Sequence, residues 1–258
     1  MWKKEMETAR RAAMEAGGIL KELYGNINRI LKKGEIDLVT EADIASENAV
    51  IETISSDFPN DMILSEEAGE HGEKSDRLWI VDPLDGTTNF AHTFPFFAIS
   101  IGFQVEYETV AGVVYNPVMD EFFEAEKGKG AFLNKNSIRV SDKVNLKDSL
   151  VATGFPYDIH EKNEAVLEYF KRMIVQVQGV RRPGAASIDL CYVAAGRLDG
   201  FWEQGLKPWD TAAGSIILQE AGGIISDYAG NPYDPFMKTV LASNPGIHGK
   251  MLEILTYP

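Results

Sequence analysis

Apolar residues recur at helical spacing through Met6, Ala9, Ala13, Ala16, Ile19, Leu20 and Leu23, one buried face of an amphipathic helix. This predicts a helix over residues 4 to 24, ended by Gly25 and Asn26. A polar stretch, Lys32-Lys33-Gly34-Glu35, follows as an exposed turn, and a second helix is predicted over 41 to 56, stopped near Pro59. The period then changes. Leu78-Trp79-Ile80-Val81 is a wholly apolar run of strand length. Residues 98 to 105 and 110 to 115 are predicted as strands on either side of the acidic turn Glu106-Tyr107-Glu108. Residues 121 to 126 and 131 to 133 continue this β-rich middle, punctuated by Gly128 and Gly130. The later chain alternates: a strand at 150 to 153, helices at 161 to 175 and 187 to 195, a strand at 200 to 202, and a helix at 211 to 221. Gly222-Gly223 stops that helix before a strand at 224 to 226, and a last helix covers about 247 to 255. Mixed strands and helices predict a layered α/β or α+β fold. No repeat, low-complexity tract or long linker divides the chain, so one compact unit over residues 1–258 is expected.

Composition changes this picture little. Hydrophobic residues make up 45% and charged residues 25% of the 258, an ordinary globular balance. The formal net charge of −14 disfavours non-specific binding to phosphate backbones. It also leaves carboxylates to spare for holding cations. One cysteine, Cys191, excludes an intrachain disulfide, and its apolar surroundings, Ile188 to Ala195, predict a small buried hydrophobe. No run of roughly 18 apolar residues is present, so no membrane span is expected. The N-terminal segment lacks the apolar core of a signal peptide, so the cytoplasm is the expected location. His71, His92, His160 and His248 are scattered without zinc spacing.

The candidate chemistry sits in Trp79-Ile80-Val81-Asp82-Pro83-Leu84-Asp85-Gly86-Thr87-Thr88-Asn89-Phe90. A buried strand ends in an acid, a second acid follows three residues on, and then comes Gly-Thr-Thr. Strand ends that face a crevice are where α/β proteins place ligands, and Pro83 and Gly86 favour a turn there. A helix opening near Gly86 would aim free N–H groups at an anion such as phosphate. Two carboxylates in one cleft need a counter-charge, and hard oxygen ligands beside a phosphate site point to magnesium. The bland alternative is that Asp82 and Asp85 only cap a helix. Three further acidic segments are unremarkable alone: Ser65-Glu66-Glu67 as a loop, Asp37-Leu38-Val39-Thr40-Glu41-Ala42-Asp43 as a helix start, and Pro208-Trp209-Asp210-Thr211 with Asp210 as an N-cap.

Taken together and in this order, the four segments resemble the inositol monophosphatase family. Its Asp-Pro-(Ile/Leu)-Asp-Gly-Thr motif matches Asp82 to Thr87, its Asp-Xaa-Val-Thr-Xaa-Xaa-Asp motif matches Asp37 to Asp43, its Gly/Ser-Glu-Glu motif matches Ser65 to Glu67, and its Trp-Asp matches Trp209-Asp210. The resemblance implies an α+β, αβαβα layered sandwich of the sugar phosphatase type, shared with fructose-1,6-bisphosphatases. It implies a magnesium-dependent phosphomonoesterase acting on inositol monophosphate or a related polyol or sugar phosphate, with two or three Mg2+ ions. The implied metal ligands are Glu66, Asp82, the Leu84 carbonyl, Asp85 and Asp210. Thr87, oriented by Asp43, would touch the attacking water, Glu66 would help take its proton, and Asp37 completes the catalytic set. Gly86 and Thr87 N–H groups would hold phosphate oxygens. Asp85, Ala186, Glu203 and Asp210 would face the leaving alcohol, although Glu203 is equally readable as a surface acid. Lys32 resembles a loop lysine near a third metal.

One departure concerns Gly184-Ala185-Ala186, where many members carry a hydroxyl residue after the glycine; it bears on fine specificity, not on the reaction. Arg181-Arg182 precede this turn, either attracting a second phosphate or binding a surface carboxylate. The resemblance further implies a homodimer and lithium sensitivity. Fructose-1,6-bisphosphatase activity, alone or dual, is the nearest rival, and an adenosine 3′,5′-bisphosphate phosphatase a more distant one. A non-catalytic accessory role with the transcription machinery is the alternative from another class.

Overall fold

A computed structural model describes residues 1–26, 30–32, 38–161 and 163–256. Its helices are α1 (Lys3–Leu23), α2 (Glu41–Asp57), α3 (Thr87–Ala91), α4 (Glu164–Ile174), α5 (Ala186–Ala194), α6 (Pro208–Glu220) and α7 (His248–Thr256). Strands β1 (Ile30–Lys32) and β2 (Leu38–Thr40) pair as a short antiparallel ladder.

The larger sheet holds eight strands: β3 (Met62–Ser65), β4 (Gly69–His71), β5 (Arg77–Asp85), β6 (Ala98–Val105), β7 (Glu108–Asn116), β8 (Glu121–Glu126), β9 (Ala131–Leu133) and β10 (Asn136–Ile138). Their order is β10-β9-β8-β7-β6-β5-β3-β4, antiparallel throughout except for β3 beside β5. The second sheet orders β11 (Leu150–Thr153), β12 (Gly179–Arg181), β13 (Gly200–Gln204), β14 (Ile224–Ser226) and β15 (Thr239–Ser243) as β12-β11-β13-β15-β14. Its β11 runs parallel to both neighbours, while β15 is antiparallel to β13 and β14.

Helices α1 and α2 cover one face of the large sheet, α5 and α6 fill the space between the sheets, and α4 and α7 lie beyond the small one. The layers are therefore αβαβα, as the resemblance implied. Three cores follow from this stacking. Met6, Ala9, Leu20, Ile54, Trp79 and Phe103 pack under α1 and α2. Ile188, Leu190, Phe201, Ile216 and Ile217 pack between the sheets. Met173, Trp202, Leu241, Ile247 and Met251 pack on the far side.

The helical period of the first segment yields α1 within one residue of its expected ends. Strand β5 is longer than its apolar stretch, because it runs on through Asp82 to Asp85. Asp210 is not an N-cap: α6 starts at Pro208, and the Asp210 carboxylate accepts the Lys207 N–H at 2.6 Å from the third helical position. Met62-Ile63-Leu64 is a strand, and Lys32 closes β1 instead of opening a turn.

Candidate active site

Side chains alternate along a regular strand, so positions 82 and 85 would face opposite sides of β5. A register shift prevents this. Asp82 pairs with Ser100 and Asp85 with Ala98, so three residues on β5 span two on β6. The extra residue in this bulge returns Asp85 to the side of Asp82. Pro83, which has no N–H to give a ladder, lies inside the bulge, and its carbonyl accepts the Ser46 hydroxyl of α2 at 2.6 Å.

Gly86 follows at φ +94° as the N-cap of α3. A Cβ there would lie 3.0 Å from the Phe96 carbonyl oxygen and 3.3 Å from that of Gly184. Conformation and space both demand glycine. The Asn89 amide, one turn on, reaches the carbonyls of Phe96, Pro183 and Gly184 at 2.7, 2.9 and 3.3 Å. It ties α3 to the turn that opens α5.

Asp43 stands at the start of α2, wholly buried. Its Oδ2 accepts the Thr40 N–H and hydroxyl, each at 2.7 Å, closing a capping box. Its Oδ1 lies 2.9 Å from the Thr87 hydroxyl, which is also 3.1 Å from the Leu84 carbonyl oxygen. Asp82 accepts the Leu84 N–H at 3.0 Å. Asp85 accepts the Ser187 N–H at 2.8 Å and the Ser187 hydroxyl, both from the first turn of α5. Glu66 sits just beyond β3, partly exposed. Its loop is fixed by Glu47, a buried residue of α2 whose Oε1 accepts the Ser65 hydroxyl and the N–H groups of Glu67 and Ala68, the last two at 3.0 Å. Ala186 is the first residue of α5 and Glu203 lies on β13, both buried. Glu203 is thus not a surface acid. A Cβ on Gly154 would run into its carboxylate oxygens. Asp37 and the side chain of Lys32 lie outside the described residues.

The electrostatics show that these groups share one space. Burial pushes Asp82 well above the usual carboxylate range, and the fields of Glu66, Asp85 and Asp210 push it further. Burial raises Asp85 to about 6 against the pull of its hydrogen bonds from Ser187. Asp210 is raised by burial, then by Asp85, Glu66 and Glu203. Asp43 is raised by burial against its bonds from Thr40 and Thr87. Glu203 is raised by burial to about 8, with the Arg182 guanidinium opposing and Asp85 assisting. Arg182 is exposed and lies 5.7 Å from the Phe155 ring centre.

Among the described residues, no three carboxylates, imidazoles or thiols are drawn into a closed ligand cage. The donor set nevertheless fits a divalent cation by its chemistry. Glu66, Asp82, Asp85 and Asp210 are hard oxygen donors that repel one another in a desolvated cleft, and a cation offsets that repulsion. A separate surface groove at the β3–β4 end, lined by Met62, Leu64, Leu78, Tyr107 and Phe236 among others, shares no residue with this cluster.

The sequence reading overlooked Ser46, Glu47, Ser187 and Asp189, and gave Asn89 no role of its own. A buried Glu in the middle of α2 carries no local mark, since its partners are 18 to 21 residues away. Ser187 was legible only as a residue beside the resemblance's Ala186. Cys191 is fully buried, and burial pushes its thiol up, which agrees with an inert hydrophobe.

The model of the Inositol monophosphatase family matches residues 2–256. An inositol-1-monophosphatase of Synechocystis sp. is 44% identical over 252 residues, covering 97% of this chain and 88% of the relative. The Nus factor SuhB of Escherichia coli is 40% identical over 250 residues, covering 96% and 94%. The crystal structure of the extragenic suppressor protein suhB from Bartonella henselae superposes with a TM-score of 0.94 at 42% identity, covering 98% of each chain.

Proposed function

Because the chain belongs to the inositol monophosphatase family, we propose that it is a magnesium-dependent phosphomonoesterase. Its substrates would be inositol monophosphate or a related polyol or sugar phosphate, split to the alcohol and inorganic phosphate. The observation that carries this reading is the meeting of Glu66, Asp82, Asp85 and Asp210, from three different parts of the chain, where the charges of Glu66 and Asp85 bear on both Asp82 and Asp210. Acidic groups gathered at such cost suit a cation site better than a structural one.

Glu66, Asp82, Asp85, Asp210 and the Leu84 carbonyl would hold two or three magnesium ions. When bound, magnesium supplies positive charge for the phosphoryl oxygens and a water of lowered pKa. The chain's own part is positioning. The Thr87 hydroxyl donates to Asp43, which would leave its lone pairs free to accept a hydrogen bond from the attacking water and aim that water at phosphorus. Glu66 would take the proton, with Asp37 in support. The water oxygen would bond to phosphorus as the ester P–O bond breaks, and the leaving alkoxide would take a proton from a second water molecule, whose hydroxide is neutralised by the proton that Glu66 releases. Helix α3 is only five residues long, so its dipole is weak, and phosphate oxygens would be met by the individual N–H groups of Gly86 and Thr87. Ala186, Glu203, Asp85 and Asp210 would face the alcohol, and Lys32 would approach the metal site.

We further propose that residues 1–258 act as one catalytic unit, that the protein is a cytoplasmic homodimer, and that lithium inhibits it. Among the described residues no helix is long and apolar enough to cross a membrane. Fructose-1,6-bisphosphatase activity remains the nearest rival within the class. A second reading rests on the relative named Nus factor SuhB: an accessory role with the transcription machinery, independent of catalysis.

Phosphate release from inositol 1-phosphate, fructose 1,6-bisphosphate and adenosine 3′,5′-bisphosphate, with and without magnesium, tests the reading. Magnesium-dependent turnover of the inositol ester, lost by more than about 100-fold in Asp85→Asn, is expected, the scale of losing one preorganised electrostatic contact. No turnover of any ester would move the accessory reading to first place.

A further inference from the structure

Three polar side chains on one face of α2, Asp43, Ser46 and Glu47, are at most 4% exposed. Spacings of three and four residues put them in a single stripe, which continues as the apolar Val50 and Ile54 of the core under α1 and α2. A helix that served the core alone would be apolar along the whole stripe. Buried polar groups persist where their bonds are made. Beyond the Thr40 cap, these three bond to the framework of the candidate site: Asp43 to Thr87, Ser46 to the Pro83 carbonyl, and Glu47 to the loop around Glu66.

The strands bridged by Ser46 and Glu47 have just parted. β3 and β5 run parallel in register up to Ser65 opposite Val81, and the Glu66 N–H adds one bond to the Val81 carbonyl at 3.2 Å. Past that point β3 turns back into β4, with Ser65 opposite Gly69, while β5 bulges through Pro83. Pairing between β3 and β5 therefore stops just where Glu66 and Asp82 leave the ladder. Two adjacent residues of α2 take over. The Glu47 carboxylate holds the Glu66 side through the Ser65 hydroxyl and the N–H groups of Glu67 and Ala68. The Ser46 hydroxyl holds the bulge through the Pro83 carbonyl at 2.6 Å. Neighbouring positions of one helix keep a fixed separation, so the two anchors keep one too.

We infer that Ser46 and Glu47 are positioning residues that set the spacing between the Glu66 arm and the Asp82–Asp85 arm of the candidate cation site. Ligands spaced in advance take up a cation without first having to be ordered, so the pair acts on metal affinity. The two anchors are coupled, because once either lets go the spacing is already lost and releasing the other adds little. This inference deepens the proposed phosphatase reading and rests on its cation site.

The test is Mn2+ binding to the metal-free full chain, read from the paramagnetic resonance signal of the free ion. Mn2+ stands in for magnesium because it takes the same oxygen ligands. The proteins compared are wild type, Ser46→Ala, Glu47→Gln, the double variant and Val50→Ala. Glutamine keeps the shape and one acceptor oxygen but gives up the charge that strengthens the bonds to the Glu66 loop. The Kd is expected to rise about tenfold in each single site variant, at the lower end of supporting-residue effects, and in the double variant by clearly less than the product of the two. Val50→Ala opens a cavity in the apolar half of the same stripe; it is expected to lower Tm and leave Kd at the wild-type value. Single variants with wild-type Kd overturn the inference. A double variant that loses the full product overturns it too, since the anchors would then act separately. So does a Kd that rises as far in Val50→Ala as in Ser46→Ala, because a general loosening of α2 would account for both. Wild type that binds no Mn2+ overturns the cation site, and the inference with it.

Discussion

Asp85 is held by the first turn of α5. The Ser187 N–H and hydroxyl both reach its Oδ2, and the Ala186 N–H also favours its charged form. A carboxylate oriented by a second residue is a better metal ligand, because the geometry is fixed before the ion arrives. Ser187→Ala removes the hydroxyl bond and keeps the backbone one. The magnesium concentration for half-maximal activity is expected to rise about tenfold, at the lower end of such supporting-residue effects, while kcat at saturating magnesium changes less. A magnesium titration of activity checks this; an unchanged midpoint would mean that the backbone N–H alone orients Asp85. Residues of this supporting kind were not legible in the sequence. The motif residues Asp82, Asp85 and Thr87 lie within six positions of one another and announce themselves, whereas Glu47 and Ser187 act across long sequence separations and belong to ordinary-looking helices.

At the scale of elements, the site depends on how closely α6 approaches the large sheet. Gly102 on β6 and Gly112 on β7 face each other across the ladder. A Cβ on Gly102 would lie 2.8 Å from that of Ala212, and one on Gly112 would lie 2.8 Å from the Ala213 Cα and 2.9 Å from its carbonyl oxygen. The pair therefore makes a flat seat for the first turns of α6, the helix that delivers Asp210. Gly112→Val would push the helix backbone itself, which cannot rotate away as a side chain can. Overpacking of this kind costs about 1–3 kcal/mol. A lowered Tm is expected, together with a larger fractional loss of activity than of folded protein, since Asp210 moves with the helix; a Tm and activity both at wild-type values would show that α6 tolerates the displacement. Periodicity revealed α1, α2, β6 and the helices of the second half within one to three residues at most ends. It could not reveal this seat, because glycine inside a strand looks like a weakness until the partner helix is known. It also missed β15, a five-residue strand between β13 and β14, whose Thr-Val-Leu-Ala-Ser run is too short to declare a period. The bulge in β5 was hidden for the opposite reason: Pro83 and Gly86 were legible as turn formers, but only the pairing with β6 shows that the strand continues through the proline.

For the whole molecule, the collected carboxylates couple stability to pH and to metal. Asp85 titrates near 6 and Glu203 near 8 in the folded chain, against ordinary values of 3.8 and 4.5. Between the ordinary and the folded values, the native protein holds a proton that the unfolded chain has released. Stability then falls as pH rises, by up to about 1.4 kcal/mol per pH unit for each group. The window runs from about pH 4 to 6 for Asp85 and to about pH 8 for Glu203. Below it, groups such as Glu126 act in the opposite sense: the N-terminal ammonium holds its carboxylate below the usual range, and that contribution is lost on acidification. The metal-free protein is therefore expected to have its highest Tm in weak acid and a declining Tm toward pH 8. Magnesium competes with these protons, so its binding strengthens as pH rises and its stabilisation by mass action grows in step. Scanning calorimetry at pH 5, 6.5 and 8, in chelator and in saturating magnesium, separates the two effects. The gap between the curves should widen toward pH 8, because the ion removes the repulsion that deprotonation creates. Parallel curves would mean that the ion binds away from Asp85 and its neighbours, and that the acidic cluster bears its electrostatic cost for some other ligand.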